Sequence, residues 1–188
     1  MTERIKETPL WDYLKKAGKP IVLYGMGNGA DMIIDVLESL GLEFAAVFAS
    51  DNFVRGHFFH GKKVLKLSEV KEKYDDFIIL MTFAVHDSTT LGYIKELSEN
   101  YELYSPTVPI AGKGLFTLDY IKQHEEDFDR AYNMLYDERS KNDFLSVLNF
   151  KTSGKVKYLF GCEYEKEKLY EEILESGGVI SEYPPKTQ

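Results

Sequence analysis

The sequence contains a single cysteine and fewer basic than acidic residues. Cys162 has no second cysteine with which to form an internal disulfide or a thiolate metal site, so we expect a packed side chain in a reducing cytoplasm. The 188 residues include 23 Lys and Arg against 31 Asp and Glu, a formal net charge of -8, with no basic cluster. This balance argues against nucleic acid or an anionic membrane surface as a partner.

Long apolar runs are also missing from the chain. The longest are of strand length, which excludes a membrane-spanning segment, and residues Met1–Glu7 lack the apolar region of a secretion signal. We therefore expect a cytoplasmic protein without a membrane partner. Material for a core is present, because 44% of the residues are hydrophobic and 14% are aromatic. That is enough for one substantial domain or two small ones.

The chain is organised around the stretch from Ile21 to Ala30. Four apolar residues lead into glycines at positions 25, 27 and 29, and apolar residues at helical spacing follow. The pattern predicts a strand, a glycine turn and a helix, and it matches the G-x-G-x-x-A form of the dinucleotide-binding fingerprint. Amides at a helix start lack intrahelical partners and attract anions. The residues predicted to bind phosphate are Gly25, Gly27, Asn28 and Gly29. The alternative is that these glycines serve only a tight turn and close packing.

Further apolar runs alternate with helical patterns along the first half of the chain. Strands are predicted at Phe44–Phe48, Lys63–Leu65, Phe77–Met81 and Glu102–Tyr104. Strands that alternate with helices at these spacings predict an α/β fold, a Rossmann-like doubly wound parallel sheet. In such a sheet the ligand crevice lies beyond the carboxyl ends of the strands.

Residues after two of these strands are candidate ligand contacts. Asp51 lies 22 positions beyond Gly29, where an acidic residue of a doubly wound fold accepts hydrogen bonds from ribose, and Asn52 follows it. We predict that both residues contact a ribose or base. The alternative for Asp51 is a turn aspartate bonded to its own backbone. Thr82 and Phe83 are predicted to form part of the crevice wall.

The strand and helix alternation ends near Ser105. The alternation therefore supplies one mononucleotide-binding half of a dinucleotide fold and a little more. This favours a mononucleotide or a nucleotide-sugar as the ligand over NAD, which needs two halves. We predict a Rossmann-like nucleotide-binding domain over residues 1–110 and a helical region over 111–188. In the second part, Ser140–Asp143 approximates a capping box, and Tyr164–Ser176 has helical spacing. The alternation of Val156, Tyr158 and Phe160 predicts a strand or an extended connector.

No catalytic or metal-ligating set stands out. His57 and His60 are close in sequence, but without a third type of ligand nearby they make a poor zinc site. Tyr164 and Lys168 have the Tyr-x-x-x-Lys spacing of short-chain dehydrogenases, but such a match is expected by chance in a chain with 13 tyrosines. We therefore predict no catalytic residue and no metal ligand, and enzyme activity is left undecided.

Five segments carry a family resemblance. They are Leu10–Lys16, Val22–Ala30, Phe48–Gly56, Leu135–Ser140 and Leu148–Gly154. Together they resemble the region that precedes the catalytic domain of FkbM-type methyltransferases, over most of the chain to about Leu174. In that family a strand with an aspartate and glycines then opens an AdoMet-binding domain. This sequence ends in Val179–Gln188 without that motif, so the resemblance implies an accessory part that is shortened, excised or free-standing.

A second resemblance concerns the ligand. Ile21–Leu65, with its glycine turn, its strand-end aspartate and Gly61-Lys-Lys-Val-Leu65, is similar to the nucleotide-sugar-binding domain of PglD-type sugar acyltransferases. We therefore expect a non-catalytic accessory domain that binds a nucleotide or nucleotide-sugar. Its expected partner is a second copy of the chain or a methyltransferase domain on another chain.

Two other functions stay open at this point. One is a methyltransferase that binds AdoMet at Gly25–Gly29, although Tyr24 stands where such sites usually carry an acidic residue. The other is an oligomeric interaction scaffold without a small ligand.

Overall fold

The structure is a computed structural model that describes residues 1–51, 54, 56–109 and 114–162. The helices are α1 (Leu10–Ala17), α2 (Asn28–Ser39), α3 (Leu67–Lys73), α4 (Ser88–Asn100), α5 (Leu118–Gln123), α6 (Glu125–Met134), α7 (Glu138–Ser153) and α8 (Lys157–Phe160). The strands are β1 (Ile21–Tyr24), β2 (Phe44–Phe48), β3 (Phe58–Phe59), β4 (Lys62–Leu65), β5 (Ile78–Met81) and β6 (Glu102–Tyr104). Within the described ranges, every helix is too short or too polar to cross a membrane.

The strands form one six-stranded sheet in the order β3-β4-β2-β1-β5-β6. Strand β3 pairs antiparallel with β4, and the other pairs are parallel. In the centre, Leu23 of β1 lies between Val47 of β2 and Leu80 of β5. The chain runs outward from β1 to β4 and then continues on the other side of β1, so the strand order reverses between β1 and β5. The predicted α/β, Rossmann-like doubly wound sheet is confirmed, and this reversal is its switch point.

Alternation along the strands divides the core into two layers. Ile21 and Leu23 contribute to a layer with α1 and α2, whereas Val22 and Tyr24 contribute to a layer with α3 and α4. Strands β1 and β5 consist wholly of buried residues. Helices cover both of their faces, which explains why their sequences are continuous apolar runs.

The end of α7 joins the helical region to the sheet. Gly154 ends this helix in a left-handed conformation, with φ of 69°, and its carbonyl accepts a hydrogen bond of 2.7 Å from the amide of Ser105. A Cβ atom on Gly154 would lie 2.8 Å from the side chain of Leu10. Val156 then enters the core layer that contains α3 and α4. The turn after α7 is therefore fixed against both the edge strand β6 and helix α1.

Two predictions about the helical region are wrong in their local detail. The cap of α7 is Asp137, whose side chain accepts a hydrogen bond of 2.7 Å from the amide of Ser140, so Ser140–Asp143 does not start a helix. Tyr158 and Phe160 belong to the short helix α8 rather than to a strand. The predicted helix at Tyr164–Ser176 lies outside the described residues.

Candidate functional site: a crevice at the switch point

The carboxyl ends of β1, β2 and β5 surround a cavity of about 350 Å³, which we call the switch-point crevice. Doubly wound sheets bind their ligands at this position. The residues that line the crevice come from the three strand ends and the start of α4: Tyr24, Gly25, Met26, Ala49, Ser50, Phe83, Ala84, Val85, His86, Asp87 and Thr90. Most of these side chains are apolar, and the volume lies at the small end of the range for small-molecule sites.

The glycine turn between β1 and α2 has the backbone that its sequence predicts. Gly25 and Gly27 have φ of 104° and 106°, a left-handed region that favours glycine. The amide of Gly25 donates to the carbonyl of Phe48 at 2.8 Å, so β1 stays paired with β2 to its last residue. Helix α2 then begins at Asn28 with Gly27 as its cap and without a side-chain capping hydrogen bond. Its first amides are therefore available to an anion.

Gly29 and Thr82 make a packing contact. A Cβ atom on Gly29 would overlap the carbonyl oxygen of Thr82, which immediately follows β5. Thr82 is buried, and its hydroxyl donates to the carbonyl of Tyr24 at 3.0 Å. A Cβ atom on Gly25 would lie 2.6 Å from that hydroxyl oxygen and 2.8 Å from Cδ1 of Phe83. Gly25 and Gly29 are therefore required for close packing against β5 whether or not they also contact a ligand.

At the end of β2 the crevice is lined by Ser50, and Asp51 is exposed beside a lysine. The hydroxyl of Ser50 lies 2.8 Å from that of Tyr24. The Asp51 carboxylate is 3.7 Å from the ammonium of Lys66, and its side chain is 73% exposed. Asn52 lies outside the described residues. Of the residues predicted at the strand ends, the structure thus brings Gly25 and Phe83 into the lining of the crevice.

An aromatic cluster lies at the base of the crevice. The Tyr24 ring stacks on Phe48 with centroids 4.5 Å apart, and it meets Phe83 and Tyr93 edge to face at 4.9 and 6.3 Å. Burial raises the pKa of Tyr24, although the hydrogen bond with Ser50 opposes that change. Tyr24 is therefore a neutral hydroxyl group at ordinary pH, held in position by aromatic packing.

The start of α4 differs from the start of α2 in its capping. Asp87 caps α4 by accepting a hydrogen bond of 2.8 Å from the amide of Thr90, and this bond lowers the pKa of the carboxyl group. A carboxylate therefore caps the positive end of the α4 dipole, whereas α2 has no capping side chain and carries a carboxylate in its first turn, Asp31, beside His60. The uncapped amides at the start of α2 are suited to an anionic group of a ligand, with Asp31 opposing part of the attraction of the dipole, and a hydrogen-bond donor or a cation is favoured near Asp87.

Sequence reasoning missed the segment from Val85 to Thr90. The expectation that ligands bind beyond the carboxyl ends of the strands pointed to the residues directly after β5. The crevice extends further, along this segment to the first turn of α4. The signal that could have found it is Asp87, a residue of a type that favours the cap position of a helix. A cap that follows a crevice strand by a few residues places the intervening side chains near the ligand.

Other candidate residues lie apart from the crevice lining. His60 contacts Asp31 of α2 at 2.7 Å, and among the described residues no group of three or more His, Cys, Asp or Glu side chains could hold a metal ion. Burial raises the pKa of Cys162, whose sulfur donates to the carbonyl of Tyr158 at 3.4 Å. Its thiol is therefore poorly suited to act as a nucleophile. Tyr164 and Lys168 lie outside the described residues.

Comparison with known proteins relates the chain to one solved structure at the level of the fold. No family model and no curated protein matches the chain. The crystal structure of methyltransferase FkbM from Methylobacillus flagellatus KT is similar over 94% of this chain and 56% of that chain, with a TM-score of 0.53 and 14% sequence identity. The chain therefore spans little more than half the length of that structure. The likeness supports the fold, and the similarity to PglD-type domains stays a prediction.

Proposed function

We propose that this chain binds a nucleotide or nucleotide-sugar in the switch-point crevice and serves as a non-catalytic accessory domain of an FkbM-like, AdoMet-dependent methyltransferase. The observation that carries the proposal is the position of the crevice at the carboxyl ends of β1, β2 and β5, beside the glycine turn. A mostly apolar cavity with a few polar groups suits a nucleobase, and an adjacent uncapped helix start suits phosphate.

The ligand phosphates contact the backbone of the glycine turn in this proposal. Gly25 lines the crevice, and Gly27 and Asn28 form the uncapped start of α2 next to it. Gly29 supports this start by its close approach to Thr82. Asp51 lies beyond the end of β2, where its carboxylate and Lys66 are available to the ribose or the sugar that extends from the crevice.

The accessory role is inferred from the extent and kind of the structural likeness. The similar crystal structure is that of a methyltransferase, and the chain spans 56% of its length. Tyr24 stands at the end of β1, where an AdoMet site of the methyltransferase type usually carries an acidic residue. The methyl-transfer chemistry is therefore assigned to a domain other than the one described, on this chain or on a partner.

A thermal-shift titration against UDP, a UDP-sugar, ADP, NAD and AdoMet tests the proposal. A ligand that binds only the folded protein adds about 2.7 kcal/mol to the free energy of unfolding at 100 times its dissociation constant. We expect stabilisation by a nucleotide or nucleotide-sugar and none by AdoMet.

The other outcomes of this titration identify the competing functions. Stabilisation by AdoMet alone favours a methyltransferase with its cofactor at the glycine turn. No response to any compound, together with a concentration-dependent oligomer, favours a scaffold in which the glycines serve packing only. Either result contradicts the proposed function.

A further inference from the structure

The floor of the switch-point crevice carries two hydroxyl groups and no charge. Tyr24, Ala49, Ser50 and Phe83 line it at the three strand ends, and the ionisable His86 and Asp87 belong to the segment before α4. A ribose ring carries hydroxyl groups that each need a partner when buried. A nucleobase has apolar faces and polar edges. The floor of the crevice therefore suits the planar ring of a nucleobase better than a ribose.

The hydroxyl groups of Ser50 and Tyr24 lie 2.8 Å apart, and among the described residues neither has another side-chain hydrogen-bond partner. Tyr24 is 2% exposed, so its oxygen is held beneath the crevice surface by the surrounding rings. Their mutual hydrogen bond uses one of the two protons. One donor and several lone pairs remain for a ligand, and they lie where Ser50 meets the cavity.

We infer that Ser50 and Tyr24 form a specificity-determining hydroxyl pair that binds the edge of a nucleobase, so that the base rather than the ribose occupies the crevice. This inference rests on the proposed function and assigns the orientation of its ligand. The pair supplies a donor and an acceptor to the C=O and N–H groups of the base edge. Phosphates then extend past Gly25 to the start of α2, and Asp51 stays outside the crevice with Lys66.

The double variant Tyr24→Phe with Ser50→Ala tests the inference. Removal of both partners leaves no buried hydroxyl without a hydrogen bond, and the phenyl ring retains the packing on Phe48. A matched control is Tyr74→Phe with Ser39→Ala, which removes two hydroxyl groups that donate to the carbonyls of Ala45 and Val36, away from the crevice lining. Calorimetric titrations with UDP and ADP measure affinity for nucleotides, and ribose 5-phosphate serves as the probe without a base.

The double variant is expected to bind UDP or ADP about fivefold to tenfold more weakly, the effect of one lost neutral hydrogen bond, with unchanged affinity for ribose 5-phosphate. The control variant is expected to match the wild type for every probe. An equal loss for ribose 5-phosphate would place the ribose at the pair and overturn the inference. A loss caused by Asp51→Asn and not by the double variant would do the same. If neither nucleotide binds the wild type, the proposed function itself fails.

Discussion

At the scale of single residues, a substitution at Gly29 tests the packing role of the glycine turn separately from its role in ligand binding. A Cβ atom at this position would overlap the carbonyl oxygen of Thr82, and backbone atoms cannot rotate away as a side chain does. We predict that Gly29→Ala lowers the free energy of unfolding by about 2–4 kcal/mol, because α2 must shift away from β5. Urea denaturation measures this change.

Gly92→Ala is the matched control for Gly29→Ala. Gly92 is exposed within α4, and a Cβ atom there would meet nothing within 4 Å. Alanine favours the helix over glycine by about 0.5–1 kcal/mol, so this variant is expected to be slightly more stable than the wild type. A similar gain for Gly29→Ala would contradict the packing role of Gly29.

The candidate site could be predicted from the sequence in position but only partly in its residues. The carboxyl edge of the sheet could be located, because apolar runs followed by glycine or polar residues mark the strand ends. At the end of β2 the sequence pattern favoured Asp51 over Ser50, since carboxylates are the usual ribose ligands. The structure turns Asp51 toward Lys66, a residue that β4 brings beside β2. Pairing between distant strands is not visible in a local sequence pattern.

At the scale of elements, Glu7 fixes α8 and the preceding turn to the amino-terminal segment. Its carboxylate accepts hydrogen bonds from Lys155 at 2.5 Å and from the hydroxyl of Tyr158 at 2.7 Å, and it lies 3.0 Å from the ammonium of Lys157. Burial raises the pKa of Glu7, but these partners outweigh burial and lower it to about 2. The charged form is thus more stable in the folded protein than in the unfolded chain.

Glu7→Gln is predicted to lower the free energy of unfolding by about 2 kcal/mol at pH 7. Because the folded pKa is depressed, this contribution is present above the unfolded pKa of about 4.3 and is lost as the pH falls toward 2. Denaturation of both proteins from pH 7 to pH 2 should show the difference shrinking below about pH 4.5. A difference independent of pH would contradict the role of the carboxylate, and the exposed Glu3→Gln variant is the control.

The same contacts explain which elements the sequence could predict. Strands β1 and β5 are continuous apolar runs that any neighbour would bury, so local pattern suffices for them. Helix α8 has the alternation of a strand, but Gly154 and the partners of Glu7 fix its backbone as a helical turn. Strand β3 contains two residues, Phe58 and Phe59, which is too short for a periodic signal. Tertiary contacts decide both cases.

At the scale of the whole molecule, the switch in strand order creates the crevice. Helices α2 and α4 both begin at the carboxyl edge of the sheet, on opposite sides of the β1–β5 pair. The first has no capping side chain, so its first amides are available to an anion, whereas the second is capped by the carboxylate of Asp87. The orientation proposed for the nucleotide follows from this asymmetry.

Calorimetric titration of UDP, ADP and AdoMet into the wild type, Ala84→Trp and Ala84→Ser distinguishes a nucleotide site in the crevice from the alternatives. Ala84 is an exposed residue of the crevice lining, so a tryptophan there can fill the cavity with little effect on the core, and serine leaves it open. We expect UDP or ADP to bind the wild type and Ala84→Ser at one site and to fail to bind Ala84→Trp, and AdoMet to bind none of the three proteins. Nucleotide binding that is unaffected by Ala84→Trp, or binding of AdoMet and of neither nucleotide, would show that the crevice is not a nucleotide site.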